Sequence, residues 1–209
     1  MIKDYHNKHI IFDLGNVILP IDFSAPVKAF AEIGLEDFDA LYGKIQQSDF
    51  FNLLETGKIT EQYFRDEMRR ISGISWTDKQ IDDACSTIIL DFRKATFYML
   101  EKLAVKESVY LLSNTNSIHF KRYNQQVVDK FCKGGLSSYF KKAYYSHELG
   151  VRKPGEEIFQ YVLNDLSVNA EECLFIDDHP DNIATANRMG FHTYLLSSDE
   201  RVEESFNVL

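Results

Sequence analysis

Apolar and polar positions along the chain fall into two rhythms. Five short runs are apolar or β-branched and aromatic, each bounded by polar residues, and read as buried strands: Ile10–Phe12, Val109–Leu112, Ala143–Ser146, Leu174–Ile176 and Thr193–Leu196. Helical spacing separates the later ones. Ile158, Phe159, Val162, Leu163 and Leu166 mark one helical face, with Pro154 expected in its first turn. Ile183, Ala186 and Asn187 lie on another helix, which Gly190 is expected to end in a left-handed cap. Strands alternating with helices predict an α/β fold, a Rossmann-like parallel-sheet core with helices on both faces.

The stretch 21–93 has the helical rhythm alone. Phe38, Leu41, Tyr42 and Ile45 recur at helical spacing, as do Phe64, Met68 and Ile71, and Ile81, Ala84, Cys85 and Ile88. Thr77-Asp78-Lys79-Gln80 has the capping-box pattern of a helix start. Each stripe by itself says only core packing. Together they predict an inserted all-helical cap domain over 21–93, between core segments 1–20 and 94–209. A helical block placed just after the first strand is suited to be a lid. The tail 197–209 is charged and is expected to be peripheral.

Composition narrows the function classes. Of the 209 residues 44% are hydrophobic and 13% aromatic, enough for a sizeable core and against disorder. A net charge of −9 argues against a nucleic-acid binder, which needs a basic face. It leaves a phosphorylated small molecule open, provided a metal and a few cations reverse the sign locally. Cys85, Cys132 and Cys173 form no CxxC pair and read as reduced thiols, small buried hydrophobes. The start of the chain is too polar for a secretory signal, and no run of about 18 apolar residues predicts a membrane span. The expected location is the cytoplasm.

Four polar clusters follow strand ends or helix starts: Asp13, Ser113-Asn114-Thr115-Asn116, Lys153, and Asp177-Asp178. Singly each has a bland account. Ser113 or Asn116 suits a helix N-cap, Lys153 a solvated lysine, and the two aspartates a cap for the following helix. Jointly those accounts weaken, because a parallel sheet gathers all its strand C-termini at one edge. Asp13 and the Asp177/Asp178 pair would then form an oxygen-only site suited to Mg²⁺. Ser113 would offer a hydroxyl to phosphate oxygens, and Lys153 a point charge. A nucleophilic carboxylate, Mg²⁺, a hydroxyl and a lysine are the parts of phosphoryl transfer through an aspartyl-phosphate.

Four runs carry a resemblance. Phe12-Asp13-Leu14-Gly15-Asn16-Val17, Leu112-Ser113-Asn114-Thr115-Asn116, Gly150-Val151-Arg152-Lys153-Pro154 and Phe175-Ile176-Asp177-Asp178-His179-Pro180-Asp181-Asn182 occur in the order of the haloacid dehalogenase (HAD) superfamily. The chain resembles its subfamily I hydrolases with a C1-type helical cap, and is similar to bacterial sugar-phosphate phosphatases of the α-D-glucose-1-phosphate phosphatase type. The phosphatase domain of soluble epoxide hydrolase is a more distant likeness. The resemblance implies Asp13 as nucleophile and Mg²⁺ ligand, with the Gly15 backbone carbonyl as a second ligand. Ser113, the Asn114 amide, Lys153 and Asn16 would hold the phosphate. Asp178 would ligate Mg²⁺ directly, and Asp177 would act through water or orient Lys153.

One position departs from the family. Most of its phosphatases carry an acid–base aspartate two residues after the nucleophile, where this chain has Gly15. Such a group contributes ~10²–10⁴-fold. Activity would then be slow, or another group substitutes, with Asp22, His179 and Asn16 the nearby candidates. Alternatively the substrate carries a better leaving group, such as an anomeric sugar oxygen. Asp22 and His179 also have bland readings, as a helix cap and a solvent-facing loop residue. The leading expectation is a Mg²⁺-dependent phosphatase of a small phosphate ester such as a sugar phosphate, with Phe50, Phe51 and Glu55 of the cap facing the site. The rivals are a 2-haloacid dehalogenase on the same fold, which needs no metal, and a non-catalytic binder of a phosphate ligand.

Overall fold

A computed structural model describes residues 9–35, 37, 49–131 and 133–206. The strands are β1 (His9–Phe12), β2 (Ser108–Ser113), β3 (Lys142–Tyr145), β4 (Cys173–Asp177) and β5 (His192–Leu195). They form one sheet in the order β3-β2-β1-β4-β5, every neighbouring pair parallel. The helices follow in chain order: α1 (Ala25–Glu32), α2 (Phe50–Glu55), α3 (Glu61–Ser72), α4 (Asp78–Ser86), α5 (Lys94–Leu103), α6 (Ser117–Phe131), α7 (Ser146–Leu149), α8 (Glu156–Leu166), α9 (Pro180–Arg188) and α10 (Val202–Ser205).

Side-chain alternation along the strands divides the core in two. Ile10, Phe12, Val109, Leu111 and Ile176 meet Phe97 and Leu100 of α5 and Tyr123 and Val127 of α6 on one face. Ile11, Tyr110, Leu112 and Phe175 meet Ile158, Phe159 and Val162 of α8 and Ala186 of α9 on the other. Both faces are covered, which is why the strands read as continuous apolar runs.

Helices α1 to α4 lie between β1 and α5 and share a third cluster that includes Phe30, Phe50, Leu54, Phe64, Met68 and Trp76. The capping box at Thr77 forms, with Gln80 as its reciprocal partner. The chain leaves and re-enters the sheet layer through a narrow tie. Ile21 bridges Ile89, the Asp22 N–H donates to the Ile88 carbonyl at 2.9 Å, and the Leu90 N–H donates to the Pro20 carbonyl at 3.1 Å. The stripe of Phe38, Leu41, Tyr42 and Ile45, and Cys132, lie outside the described residues.

Three local expectations are corrected. Ser146 opens α7 rather than ending a strand, because its hydroxyl turns back to bridge the N–H and carbonyl of Thr115 at 2.9 and 3.0 Å. Pro154 stands in the turn before α8, whose N-cap is Gly155. The tail is not peripheral: Val202 and Phe206 are buried in the sheet core, Phe206 against Phe12 with ring centroids 5.7 Å apart. Arg93 fixes it through Glu203 at 2.7 Å. Gly190 does follow α9 with φ +90°, and the Phe191 N–H closes the cap on the Ala186 carbonyl at 3.1 Å. Among the described residues no helix is long and apolar enough to cross a membrane.

Candidate active site

Strand β1 sits where the sheet order reverses, with β2 leading outward on one side and β4 on the other. Open α/β sheets bind ligands at this switch point, beyond the strand C-termini. The register brings the predicted residues level. Phe12 pairs with both Leu111 and Ile176, and the Asp13 N–H donates to the Ile176 carbonyl at 2.8 Å. Asp13 thus stands beside Asp177, with Ser113 at the end of the opposite neighbour.

Lys153 enters from the loop between α7 and α8. Its Nζ lies 2.5 Å from Asp13 Oδ1 and 2.6 Å from Asp177 Oδ2, and the residue is 1% exposed. The ammonium is there because the backbone behind it is clamped. The Lys153 N–H donates to Asn114 Oδ1 at 2.9 Å, and Asn114 Nδ2 donates to the Lys153 carbonyl at 2.8 Å. The loop after β2 and the lysine loop are therefore one unit. Ser113 is buried, with a long 3.4 Å hydrogen bond from its hydroxyl to the Asn114 carbonyl. Asn116 is the N-cap of α6, its Oδ1 accepting from the His119 N–H at 3.0 Å.

The two adjacent aspartates have different surroundings. Asp177 is fully buried and takes bonds from Lys153, from the His179 N–H at 2.8 Å and from Asn182 Nδ2 at 3.0 Å to each oxygen. Asp178 is half-buried and accepts from Asn16 Nδ2 at 3.0 Å. Asn16 has φ +54°, a left-handed conformation that asparagine tolerates.

Carboxylate oxygens of Asp13, Asp177 and Asp178 lie within 4.8 Å of one another. Three carboxyl groups here face one ammonium. Burial pushes the Asp13 carboxyl up to about 7, with Asp177 and Asp178 adding to the rise and Lys153 opposing it. Burial by itself would lower Lys153, but Asp13 and Asp177 outweigh it and hold the ammonium above its ordinary value. A hard, oxygen-only donor set short of positive charge fits Mg²⁺.

Two of the candidate substitutes for an acid–base group at Gly15 each have one side-chain atom engaged in a helix start. Asp22 turns its carboxylate to the Ser24 N–H at 2.8 Å, and hydrogen bonds with Ser24 lower its pKa. His179 is the N-cap of α9, with Nδ1 accepting from the Asp181 N–H at 3.3 Å. A Cβ at Gly15 would meet Ile21 Cδ1 at 3.2 Å, the tip of a flexible side chain.

On the cap side, Phe50 is core, stacked on Phe64 with ring centroids 5.1 Å apart. Phe51 and Glu55 line a cavity of about 610 Å³. Lys153 lines a smaller one of about 310 Å³, and Asn52 and Arg152 border both. Arg152 Nη2 lies 3.1 Å from Glu55 Oε2. Burial raises the Glu55 carboxyl, and Arg152 opposes the rise.

The sequence reading gave Asn182, Arg152, Asn52 and the Asn114 side chain no role. Asn182 had a weak signal: it stands five residues after Asp177, in the first turn of the following helix, from where a side chain reaches back to the strand end.

Comparison with known proteins identifies the family. The model of the haloacid dehalogenase-like hydrolases matches residues 7–190. A D-ribitol-5-phosphate phosphatase of Bacteroides thetaiotaomicron is 35% identical over 191 residues, 90% of each chain. A HAD family enzyme of the same organism, solved with magnesium and inorganic phosphate, superposes with a TM-score of 0.88 at 33% identity, over 96% of this chain and 100% of that one. A HAD-like hydrolase from Porphyromonas gingivalis superposes with a TM-score of 0.79 at 32% identity, over 94% of each. A solved dehalogenase at 18% identity and a TM-score of 0.61 shares the fold alone. With the family model spanning most of its length, the chain belongs to the haloacid dehalogenase-like hydrolases.

Proposed function

We propose that the protein is a Mg²⁺-dependent phosphatase of the cytoplasm that hydrolyses a small sugar or polyol phosphate through an aspartyl-phosphate on Asp13. The observation that carries this reading is the buried Lys153 ammonium shared by Asp13 and Asp177, beside Asp178. The relative named as a D-ribitol-5-phosphate phosphatase supports the substrate class.

Asp13, Asp178 and the Gly15 backbone carbonyl would hold Mg²⁺, which supplies charge neutralisation at the phosphate when bound. Lys153, Ser113 and the Asn114 backbone amide hold the phosphate. Lys153 engages Asp13 Oδ1, so Oδ2 is the attacking oxygen. The bond from Oδ2 to phosphorus forms as the ester P–O bond breaks, and the leaving oxygen takes a proton. Water then attacks phosphorus, releasing inorganic phosphate and free Asp13. Asp177, saturated by Lys153, Asn182 and the His179 N–H, positions the lysine. Asn16 likewise orients Asp178 rather than touching the phosphate. Gly15 offers no side-chain acid, so the leaving oxygen takes its proton from water and the reaction favours esters with a readily departing oxygen. The block 21–93 serves as the lid that excludes bulk water. The dehalogenase reading is disfavoured, since three carboxylates beside one lysine would repel a departing halide.

Phosphate release from a panel of phosphorylated sugars and polyols, with Mg²⁺ or with a chelator, tests the proposal. Turnover is expected with Mg²⁺ only, and Asp13→Asn is expected to lose at least ~10³-fold in kcat. Full activity in Asp13→Asn would sink the aspartyl-phosphate. Halide release from a 2-haloacid without metal would favour the dehalogenase.

A further inference from the structure

Lys153 has a third neighbour besides its two carboxylates. Its Nζ lies over the ring of Phe175, 5.2 Å from the centroid. Phe175 is on β4, two residues before Asp177, so strand alternation puts both side chains on the same face of the sheet. Leu174 and Ile176 belong to the core on the opposite face. Lys153 comes in from the loop before α8, and its ammonium meets the ring as well as the acids.

Core packing does not demand an aromatic residue here, because aliphatic side chains like Leu174 and Ile176 serve a buried parallel strand as well. A buried ammonium has stricter needs. Of its three N–H donors, Asp13 and Asp177 engage two. The face of an aromatic ring is negative and attracts a cation, most strongly where both are out of water. Lys153 and Phe175 are both buried. The ring is also held in place. Phe159 of α8 stands at 87° to it with centroids 5.2 Å apart, and Phe191 backs Phe159 at 5.7 Å. Phe159 thereby fixes the tilt of the ring that meets the lysine.

Resting on the phosphatase reading for its part in the reaction, we propose that Phe175 is a positioning residue. Its ring holds the Lys153 ammonium between Asp13 and Asp177 and leaves the third N–H for a phosphate oxygen. Phe175 acts through the lysine alone. With an aliphatic residue in its place, the ammonium loses one of the three contacts that centre it.

Fluorination tests this with the packing kept, because fluorine drains the negative face of a ring while barely altering its size. Phe175 is replaced by mono-, di- and trifluorophenylalanine. The same series is made at Phe159, equally buried and one ring further from the lysine. Urea melts without Mg²⁺, and kcat for a polyol phosphate with Mg²⁺, are measured for each. The trifluoro variant at 175 is expected to lose ~10-fold in the folded-to-unfolded ratio, the scale of a desolvated cation–π contact, in steps with each fluorine. The kcat is expected to fall in the same steps, and the Phe159 series to show none. A flat series at Phe175, or equal steps at the two positions, overturns the inference. Steps in stability with kcat unchanged overturn it too, since the ring would then hold the fold and not the reaction. If the unmodified enzyme releases no phosphate with Mg²⁺, the phosphatase reading fails, and the stability series alone decides whether the ring holds the ammonium.

Discussion

The sheet edge and the cap place their side chains by different physics. At the edge, backbone register fixes everything: Asp13, Ser113 and Asp177 end three neighbouring strands, and the Asn114 clamp adds Lys153 to that frame. In the cap, Glu55 and Phe51 depend on the packing of short helices around Phe64 and Met68, on the tie at Ile21 and Ile89, and on a seat at Gly57, where a Cβ would run into the His147 carbonyl of α7. Hydrogen-bonded register is all-or-none, so the chemistry is rigid. Apolar packing tolerates exchange of side chains of similar volume, so the lining of the cap can vary while the acids stay fixed.

The largest expected effect comes from breaking the rigid side. Lys153→Met removes the one cation between Asp13 and Asp177 while filling a similar volume. Two buried carboxylates are left facing each other, a change that costs about 3–5 kcal/mol. Urea melts with and without Mg²⁺ measure it. The loss is expected without the metal and is expected to shrink when Mg²⁺ is added, because the metal replaces part of the missing charge. A loss below about 1 kcal/mol would mean that the lysine does not hold this edge together.

That edge was also the legible part of the molecule. Asp13, Ser113, Asp177 and Asp178 follow apolar runs, and a parallel sheet gathers such positions whatever the helices do. The tail misled because its charges dominate its composition, while burial is decided by two residues, Val202 and Phe206, too few to make a periodic pattern. Pro154 suited a first helical turn equally well as a preceding one, and only the fold chooses. Arg152 read as an ordinary basic residue, since its meaning depends on Glu55, about a hundred residues away in sequence, and no spacing encodes that pairing. The Asn114 clamp was hidden for the same reason: it is a contact between loops.

A smaller effect is expected at the cap's seat, with a built-in control. Gly57 and Gly73 have similar left-handed conformations, φ +63° and +73°, but a Cβ at Gly73 would meet nothing within 4 Å. Gly73→Ala therefore loses only the backbone preference, about 1 kcal/mol. Gly57→Ala must also push the His147 carbonyl away, and is expected to lose about 1–2 kcal/mol more. Equal losses at the two glycines would show that the cap does not press on the core at this point.

The last comparison lies on the seam between the two regions. His119, on α6 of the core, takes a hydrogen bond from Asn116 Nδ2 on its Nδ1 and donates through Nε2 to the Cys85 carbonyl of α4. The ring is neutral in this arrangement. Protonating Nδ1 would set donor against donor, and Asn116 cannot turn its amide over, because Oδ1 accepts the His119 N–H. Burial accordingly pushes His119 down to about 4, with the Cys85 bond opposing the fall. An unfolded histidine titrates near 6.5. The unfolded chain therefore binds this proton first as pH falls. The stabilisation is full above pH 6.5 and is lost progressively toward pH 4. Between pH 7.5 and pH 5 the wild type is expected to lose about 2 kcal/mol that His119→Gln does not lose. Urea melts of both proteins at the two pH values measure the difference. Parallel pH profiles would mean that the seam does not depend on a neutral His119, and that its other contacts, such as the Lys121–Glu61 and Arg152–Glu55 ion pairs and the tie at Ile21 and Ile89, hold the cap.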